Sequence, residues 1–132
     1  PPGGARCKLC PRDWLLRGDK CYWLSKENKN WNWSRDDCSG KSSQLLVLQS
    51  QAELDSLQDV IQGASSAWIG LKVTPPGGNW IWVDGSQLDP ACFPVSGPVD
   101  GNSCGRTKGS RIQSDTCDTD FKWLCQKEAA VI

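Results

Sequence analysis

Apolar residues recur along the chain in two rhythms. Leu54, Leu57, Val60 and Ile61, following Ala52, fall at helical spacing. Ser50 and Glu53 form a capping box ahead of them, and Gly63 stands where such a helix ends. A shorter helix is predicted from about Arg35 to Lys41, carrying Cys38. Ser34 offers its N-cap hydroxyl, with Asp37 three residues on, and the polar stretch Asn28–Asn32 before it reads as loop. The period-2 rhythm predicts strands at Lys20–Ser25, Gln44–Leu48, Ala67–Leu71 and Trp80–Val83, then near Ser103–Arg106, Arg111–Cys117 and Phe121–Lys127. In the fourth of these Trp80 and Trp82 share one face, Ile81 and Val83 the other. Between Asp84 and Ser103 the pattern breaks down around Gly85, Pro90, Pro94, Gly97, Pro98 and Gly101. A long patternless stretch inside a compact domain is unusual and often functional. The sum is an α+β chain: two early helices, then antiparallel strands and one long loop.

Length and charge narrow the class. A chain of 132 residues fits one domain with a substantial core. Fifteen Lys+Arg balance 15 Asp+Glu, so nothing steers the chain toward nucleic acid or an anionic membrane. There is no His, which removes Ser-His-Asp and Cys-His nucleophiles and His-ligated metals. No paired acids stand in a recognisable setting either, so neither an enzyme nor a cofactor is expected. The longest apolar stretch, Leu45–Leu48, is far short of a membrane span.

The eight cysteines lie at 7, 10, 21, 38, 92, 104, 117 and 125. Cys7-Lys8-Leu9-Cys10 is a C-x-x-C, but no second one follows, as a thiolate metal site would want. It follows Pro1-Pro2-Gly3-Gly4 and precedes Pro11, a poor setting for a redox helix. The even count and scattered spacing read as a disulfide framework in an oxidising, extracellular setting. Spacing alone leaves 105 connectivities open for eight cysteines.

Several ordered motifs resemble a C-type lectin-like domain. Cys10-Pro11-Arg12-Asp13-Trp14 followed by Cys21-Tyr22 is similar to that family's entry hairpin. Trp68-Ile69-Gly70-Leu71 is similar to its central strand, and Trp80-Ile81-Trp82-Val83-Asp84-Gly85 to the strand and turn after it. Cys104, Cys117 and Trp123-Leu124-Cys125 resemble its closing pattern. The resemblance implies a C-type lectin-like fold over residues 10–128, with two helices, antiparallel sheets, a long ligand-binding loop and three disulfides. Residues 1–9 are then a stalk remnant or lead-in, and 129–132 a tail. It implies the pairs Cys10–Cys21, Cys38–Cys125 and Cys104–Cys117. The family's termini lie away from the long loop, which sets Cys7 and Cys92 apart as candidate interchain cysteines.

Sugar-binding members of that family carry E-P-N or Q-P-D in the long loop and W-N-D before the penultimate cysteine. Calcium takes six to eight oxygen ligands, mostly carboxylates and amide carbonyls. Here the corresponding stretches are Pro94-Val95-Ser96, Ser96-Gly97-Pro98 and Ile112-Gln113-Ser114, while Asp89-Pro90-Ala91 has a single carboxylate. No metal site is therefore expected. The entry motif and the ending Cys125-Gln126-Lys127-Glu128 resemble natural killer cell receptors, above all killer cell lectin-like receptor subfamily B and its linked C-type lectin-like ligands. That implies the extracellular domain of a type II cell-surface receptor, or of its cell-surface ligand. A homodimer would bind a protein partner without calcium. The alternatives are a calcium-independent glycan-binding lectin using exposed Trp, and a secreted disulfide-linked toxin-like lectin.

Candidate partner-binding residues are Asp84, Asp89 and Asp100 in the loop, and the cluster Arg106, Lys108 and Arg111 after it, opposed charges that favour orientation and on-rate. Of the eight Trp, those at 68, 80, 82 and 123 are expected in the core, while at least one of Trp31 and Trp33 is a candidate for exposure. Asn32-Trp33-Ser34 is an N-glycosylation sequon at Asn32. Arg17-Gly18-Asp19 is an integrin-type tripeptide, but at a hairpin tip it is first of all turn chemistry.

Overall fold

The computed structural model describes residues 8–61, 66–74, 78–89, 91–97, 99 and 101–131. In chain order the elements are β1 (Lys8–Leu9), β2 (Leu15–Arg17), β3 (Lys20–Leu24), α1 (Trp31–Gly40), β4 (Gln44–Leu45) and α2 (Gln51–Ser56). Then follow β5 (Ala67–Thr74), β6 (Asn79–Trp82), β7 (Val95–Ser96), β8 (Ser103–Lys108), β9 (Arg111–Thr116), β10 (Lys122–Glu128) and β11 (Ala130–Val131). A nine-stranded sheet runs β2-β3-β10-β5-β8-β9-β7, with β4 joined to β10 and β6 to β5. A separate ribbon pairs Lys8 with Val131 and Leu9 with Ala130, so ordered pairing extends beyond residues 10–128 at both ends.

The sheet is mixed rather than antiparallel throughout. β10 runs parallel to β5, pairing Lys122 with Ala67 and Trp123 with Trp68, and β7 runs parallel to β9. Both parallel contacts join strands far apart in sequence, the arrangement that a long crossover connection permits.

The first helix begins earlier than Ser34. Its N-cap is Asn30, whose Oδ1 accepts from the Trp33 N–H at 2.8 Å. Asn caps as well as Ser, and the earlier start lines Trp31, Ser34 and Cys38 along one buried face. Ser34 instead turns inward and donates to the Asn30 carbonyl at 2.8 Å. The second helix follows its capping box: Ser50 Oγ accepts from the Glu53 N–H, and Glu53 Oε1 accepts from the Gln49 N–H. It is only six residues long and continues as turns through Ile61, so Leu54, Leu57 and Ile61 are buried while Ala52 is exposed. Gly63 lies outside the described residues. Of the strand expected at Gln44–Leu48, only Gln44–Leu45 pairs, though Leu45–Leu48 are all buried.

Two packed clusters fill the interior. One gathers Leu46, Leu54, Leu57, Ile69, Leu71, Trp82 and Phe93 under α2 and the long loop. The other sets Trp31, Trp68 and Trp123 among Cys38, Cys125, Cys104 and Cys117. The disulfides are Cys10–Cys21, Cys38–Cys125 and Cys104–Cys117. Gly70 is required where β5 crosses this interior: a Cβ there would stand 2.8 Å from Val83 Cγ2 and 3.0 Å from the Leu45 carbonyl oxygen. Its own N–H and C=O bind Leu46 and Val83 at 2.8 Å, which is why the W-I-G-L strand needs its glycine.

Candidate functional site

The long loop is folded onto the sheet by local turns and one anchor. Asp84 Oδ1 accepts from the Ser86 N–H at 2.9 Å and from its hydroxyl at 2.6 Å. These bonds, the hydroxyl's first, hold the Asp84 carboxyl below its ordinary range. Leu88 N–H then donates to the Trp80 carbonyl at 3.1 Å. Asp89 makes the next turn: Oδ1 accepts from Ala91 N–H, and its carbonyl accepts from Cys92 and Phe93 N–H. Phe93 is buried, edge-on to Trp82 with ring centroids 6.1 Å apart. The stretch that looked patternless thus carries a buried aromatic and a short strand.

Past Phe93, β7 pairs Val95 with Ile112 and Ser96 with Gln113. Gly97 follows at φ +101°, where a Cβ would stand 2.5 Å from Ser114 Oγ. The structure therefore brings Pro94-Val95-Ser96 against Ile112-Gln113-Ser114. Their side chains supply one amide and hydroxyls and no carboxylate, a donor set that does not fit a calcium ion. Among the described residues no group of three or more His, Cys, Asp or Glu is placed to hold a metal.

Around this pairing lies an open depression. A cavity of about 550 Å³ is lined by Gln51 and Asp55 of α2, Phe93 and Pro94 of the loop, and Arg111 and Ile112 of β9. A second, of about 320 Å³, shares Ser96 and Arg111 and adds Lys108 and Gln113. Lys108 and Arg111 face each other at the end of the β8–β9 hairpin, both exposed. Gln51 Nε2 donates to the Ser110 carbonyl at 2.8 Å and ties α2 to that hairpin tip. Nothing in the sequence pattern marks Gln51 or Asp55 as site residues. Their only signal was the capping box that sets the start of α2.

The candidate partner-binding residues that the structure describes stand in different settings. Arg106 belongs to the frame: its side chain is only 12% exposed, its Nε donates to Asp115 Oδ2 at 3.0 Å, and its guanidinium also bonds Ser66 and stacks on Phe121. Lys108 and Arg111 remain at the surface. Asp84 and Asp89 are each committed to their own turns, and no ion pair among the described residues joins them to Lys108 or Arg111. Asp100 and Cys7 lie outside the described residues. Cys92 is exposed and unpaired with another cysteine, its thiol donating to Asp89 Oδ2 at 3.6 Å. That bond and the carboxylate's charge push the thiol pKa up, so less of Cys92 is thiolate at neutral pH than for an ordinary cysteine.

Elsewhere, Asn32 is exposed in the first turn of α1, but its sequon partner Ser34 is buried and bonded to the Asn30 carbonyl. Trp31 is buried, its Nε1 donating to the Ile69 carbonyl at 2.8 Å, whereas Trp33 is 45% exposed. Arg17-Gly18-Asp19 is tied down at both ends: Arg17 pairs with Asp59 and donates to the Ser56 carbonyl, and Asp19 pairs with Lys8.

Entry hairpin, W-I-G-L strand, three disulfides and docked long loop together define a lectin-type fold, and the "Lectin C-type domain" family matches residues 27–127. The chain belongs to the C-type lectin domain family. It is 42% identical over 121 residues to the human killer cell lectin-like receptor subfamily F member 2, covering 92% of this chain and 58% of that protein. It is 39% identical over 120 residues to the rat killer cell lectin-like receptor subfamily B member 1B allele C, covering 90% and 54%. The chain thus spans about half the length of these curated relatives. Among solved structures it is similar to the mouse scavenger receptor C-type lectin carbohydrate-recognition domain. The TM-score is 0.81 at 27% identity, over 93% of this chain and 99% of that one. The relatives are receptors by name, in keeping with a domain that binds rather than catalyses. No helix among the described residues is long and apolar enough to cross a membrane.

Proposed function

We propose that this is the extracellular ligand-binding domain of a type II cell-surface immune receptor, or of such a receptor's cell-surface ligand. It recognises a protein partner without calcium. The observation that carries this reading is the pairing of Pro94–Ser96 with Ile112–Ser114. Where sugar-binding members of the family are expected to place carboxylates and amides, this edge offers hydroxyls, one amide and apolar groups. It is flanked by the exposed cations Lys108 and Arg111 and an open depression of about 550 Å³. Such a surface suits contact with another protein, the cations steering encounter.

The test is staining of leukocyte panels with a labelled tetramer of the domain. Staining is expected to survive a calcium chelator and glycosidase treatment of the cells, and to disappear after mild surface proteolysis. Lys108→Glu with Arg111→Glu should reduce it about tenfold, mostly through the association rate. Loss of staining on chelation overturns calcium independence. Staining that resists proteolysis but not glycosidases favours the glycan-binding alternative. The same reading takes the whole protein as a homodimer. Cys7 or Cys92 then bridges the chains, and on non-reducing gels Cys7→Ser or Cys92→Ser should abolish a disulfide-linked dimer.

A further inference from the structure

A second recess lies apart from the loop edge, between α1 and the β5–β6 hairpin. It encloses about 240 Å³ and is lined by Trp31 and Arg35 of α1, Lys72 and Thr74 of β5, and Ile81 and Trp82 of β6. Trp31 and Arg35 are one helical turn apart, so both face the hairpin. Lys72 and Thr74 are alternate residues of one strand and share its outer face, with Ile81 directly opposite Lys72. The bond from Trp31 Nε1 to the Ile69 carbonyl fixes the ring against β5.

The charge in this recess is one-sided. The Lys72 ammonium lies 5.3 Å and the Arg35 guanidinium 5.5 Å from the centre of the same Trp31 ring. Among the described residues no carboxylate lines the cavity. The acid nearest Arg35 is its exposed chain neighbour Asp36, at 3.2 Å, which does not line the recess. Lys72 has no ion pair among the described residues, the aromatic contact being its only charge interaction there. A ring face offsets part of the cost of holding a cation. It does not neutralise two like charges brought to one recess.

We infer that this recess binds a sulfate group carried on a sugar chain, held between Arg35 and Lys72 with the Thr74 hydroxyl as a further donor. A guanidinium fork and a mobile ammonium together suit a tetrahedral oxyanion. The recess also presents the apolar side chains Ile81, Trp82 and Val83 beside Trp31, against which the carbon face of the sugar that carries the sulfate can pack. The disulfide frame belongs to an extracellular setting, where sulfated polysaccharides are the abundant polyanions. This site is separate from the loop edge, and its ligand is additional to the proposed protein partner.

The experiment titrates the 132-residue chain with a heparin-derived hexasaccharide by calorimetry. Binding is expected to weaken as salt rises. Arg35→Gln with Lys72→Gln should weaken it about tenfold or more. Thr74→Arg should tighten it, a gain that misfolding cannot mimic. Lys108→Gln with Arg111→Gln should leave it unchanged, which separates this site from the loop edge. Unchanged affinity in the folded Arg35/Lys72 double variant overturns the proposal, as does unchanged affinity for Thr74→Arg. Equal binding of the desulfated hexasaccharide overturns the sulfate assignment. Equal binding of a polyglutamate peptide makes the occupant an acidic protein segment and overturns the sugar.

Discussion

The two edges of the nine-stranded sheet are built from different bonds. At the β2–β3 edge a disulfide closes the hairpin, and Trp14 stacks on Trp23 at 6.3 Å. Trp23 meets Trp123 edge-on, Trp123 meets Trp33, and Lys127, Lys41 and Lys29 lie over Trp14, Trp23 and Trp33. These contacts join residues from the entry hairpin, α1 and β10. At the β7 edge the strand is two residues long, and the loop leading to it is held by Asx turns spanning two positions and by Phe93. One edge is stabilised by partners distant in sequence, the other mostly by its neighbours. A loop secured that way can change its surface without disturbing the frame, as the proposed partner-binding role requires.

The largest test of this contrast removes the bond between α1 and β10. Cys38→Ala with Cys125→Ala opens a loop of 87 residues and should cost about 4–5 kcal/mol in urea unfolding. Cys92→Ala, exposed at the other edge, should change stability by less than about 0.5 kcal/mol. Phe93→Ala comes next, at about 3 kcal/mol. Its hydrogen exchange should rise at Val95 and Ser96 while β3 and β10 stay protected. Equal acceleration at β3 would show that the edges are not independent. The smallest effect concerns Asp84. Its carboxyl is held down in the folded chain, so its stabilising contribution is present above the ordinary carboxylate range and fades as pH falls through the lowered value. A carboxyl NMR titration should find Asp84 ionising below free aspartate, and Ser86→Ala should move it back up.

The fold was largely legible because its signals are local or covalent: the ordered cysteines, the glycine of W-I-G-L and the capping box at Ser50. The start of α1 is ambiguous in the sequence because Asn30 and Ser34 are both good caps. Only the burial of Trp31, Ser34 and Cys38 together decides between them. The parallel pairings are invisible in the sequence because each joins strands that are not chain neighbours, Ala67 with Lys122 and Val95 with Ile112. The site was less legible for the same reason. Arg106 looks like surface charge until Ser66, 40 positions earlier, and Asp115 are seen to hold it. Arg17 looks like part of a recognition tripeptide until Asp59 is found beside it.

The ribbon of β1 and β11 also decides how the domain carries load. A pull on the chain at Lys8 peels open only two residue pairs before it reaches Cys10. From there tension passes through the covalent link to Cys21 in β3, across the β3–β10 ladder, and through Cys125 into α1. The loop edge lies at the other end of the sheet, off this path. A pull from the N-terminal side of the domain is borne by the crosslinked frame, and the loop edge proposed to meet a partner keeps its shape.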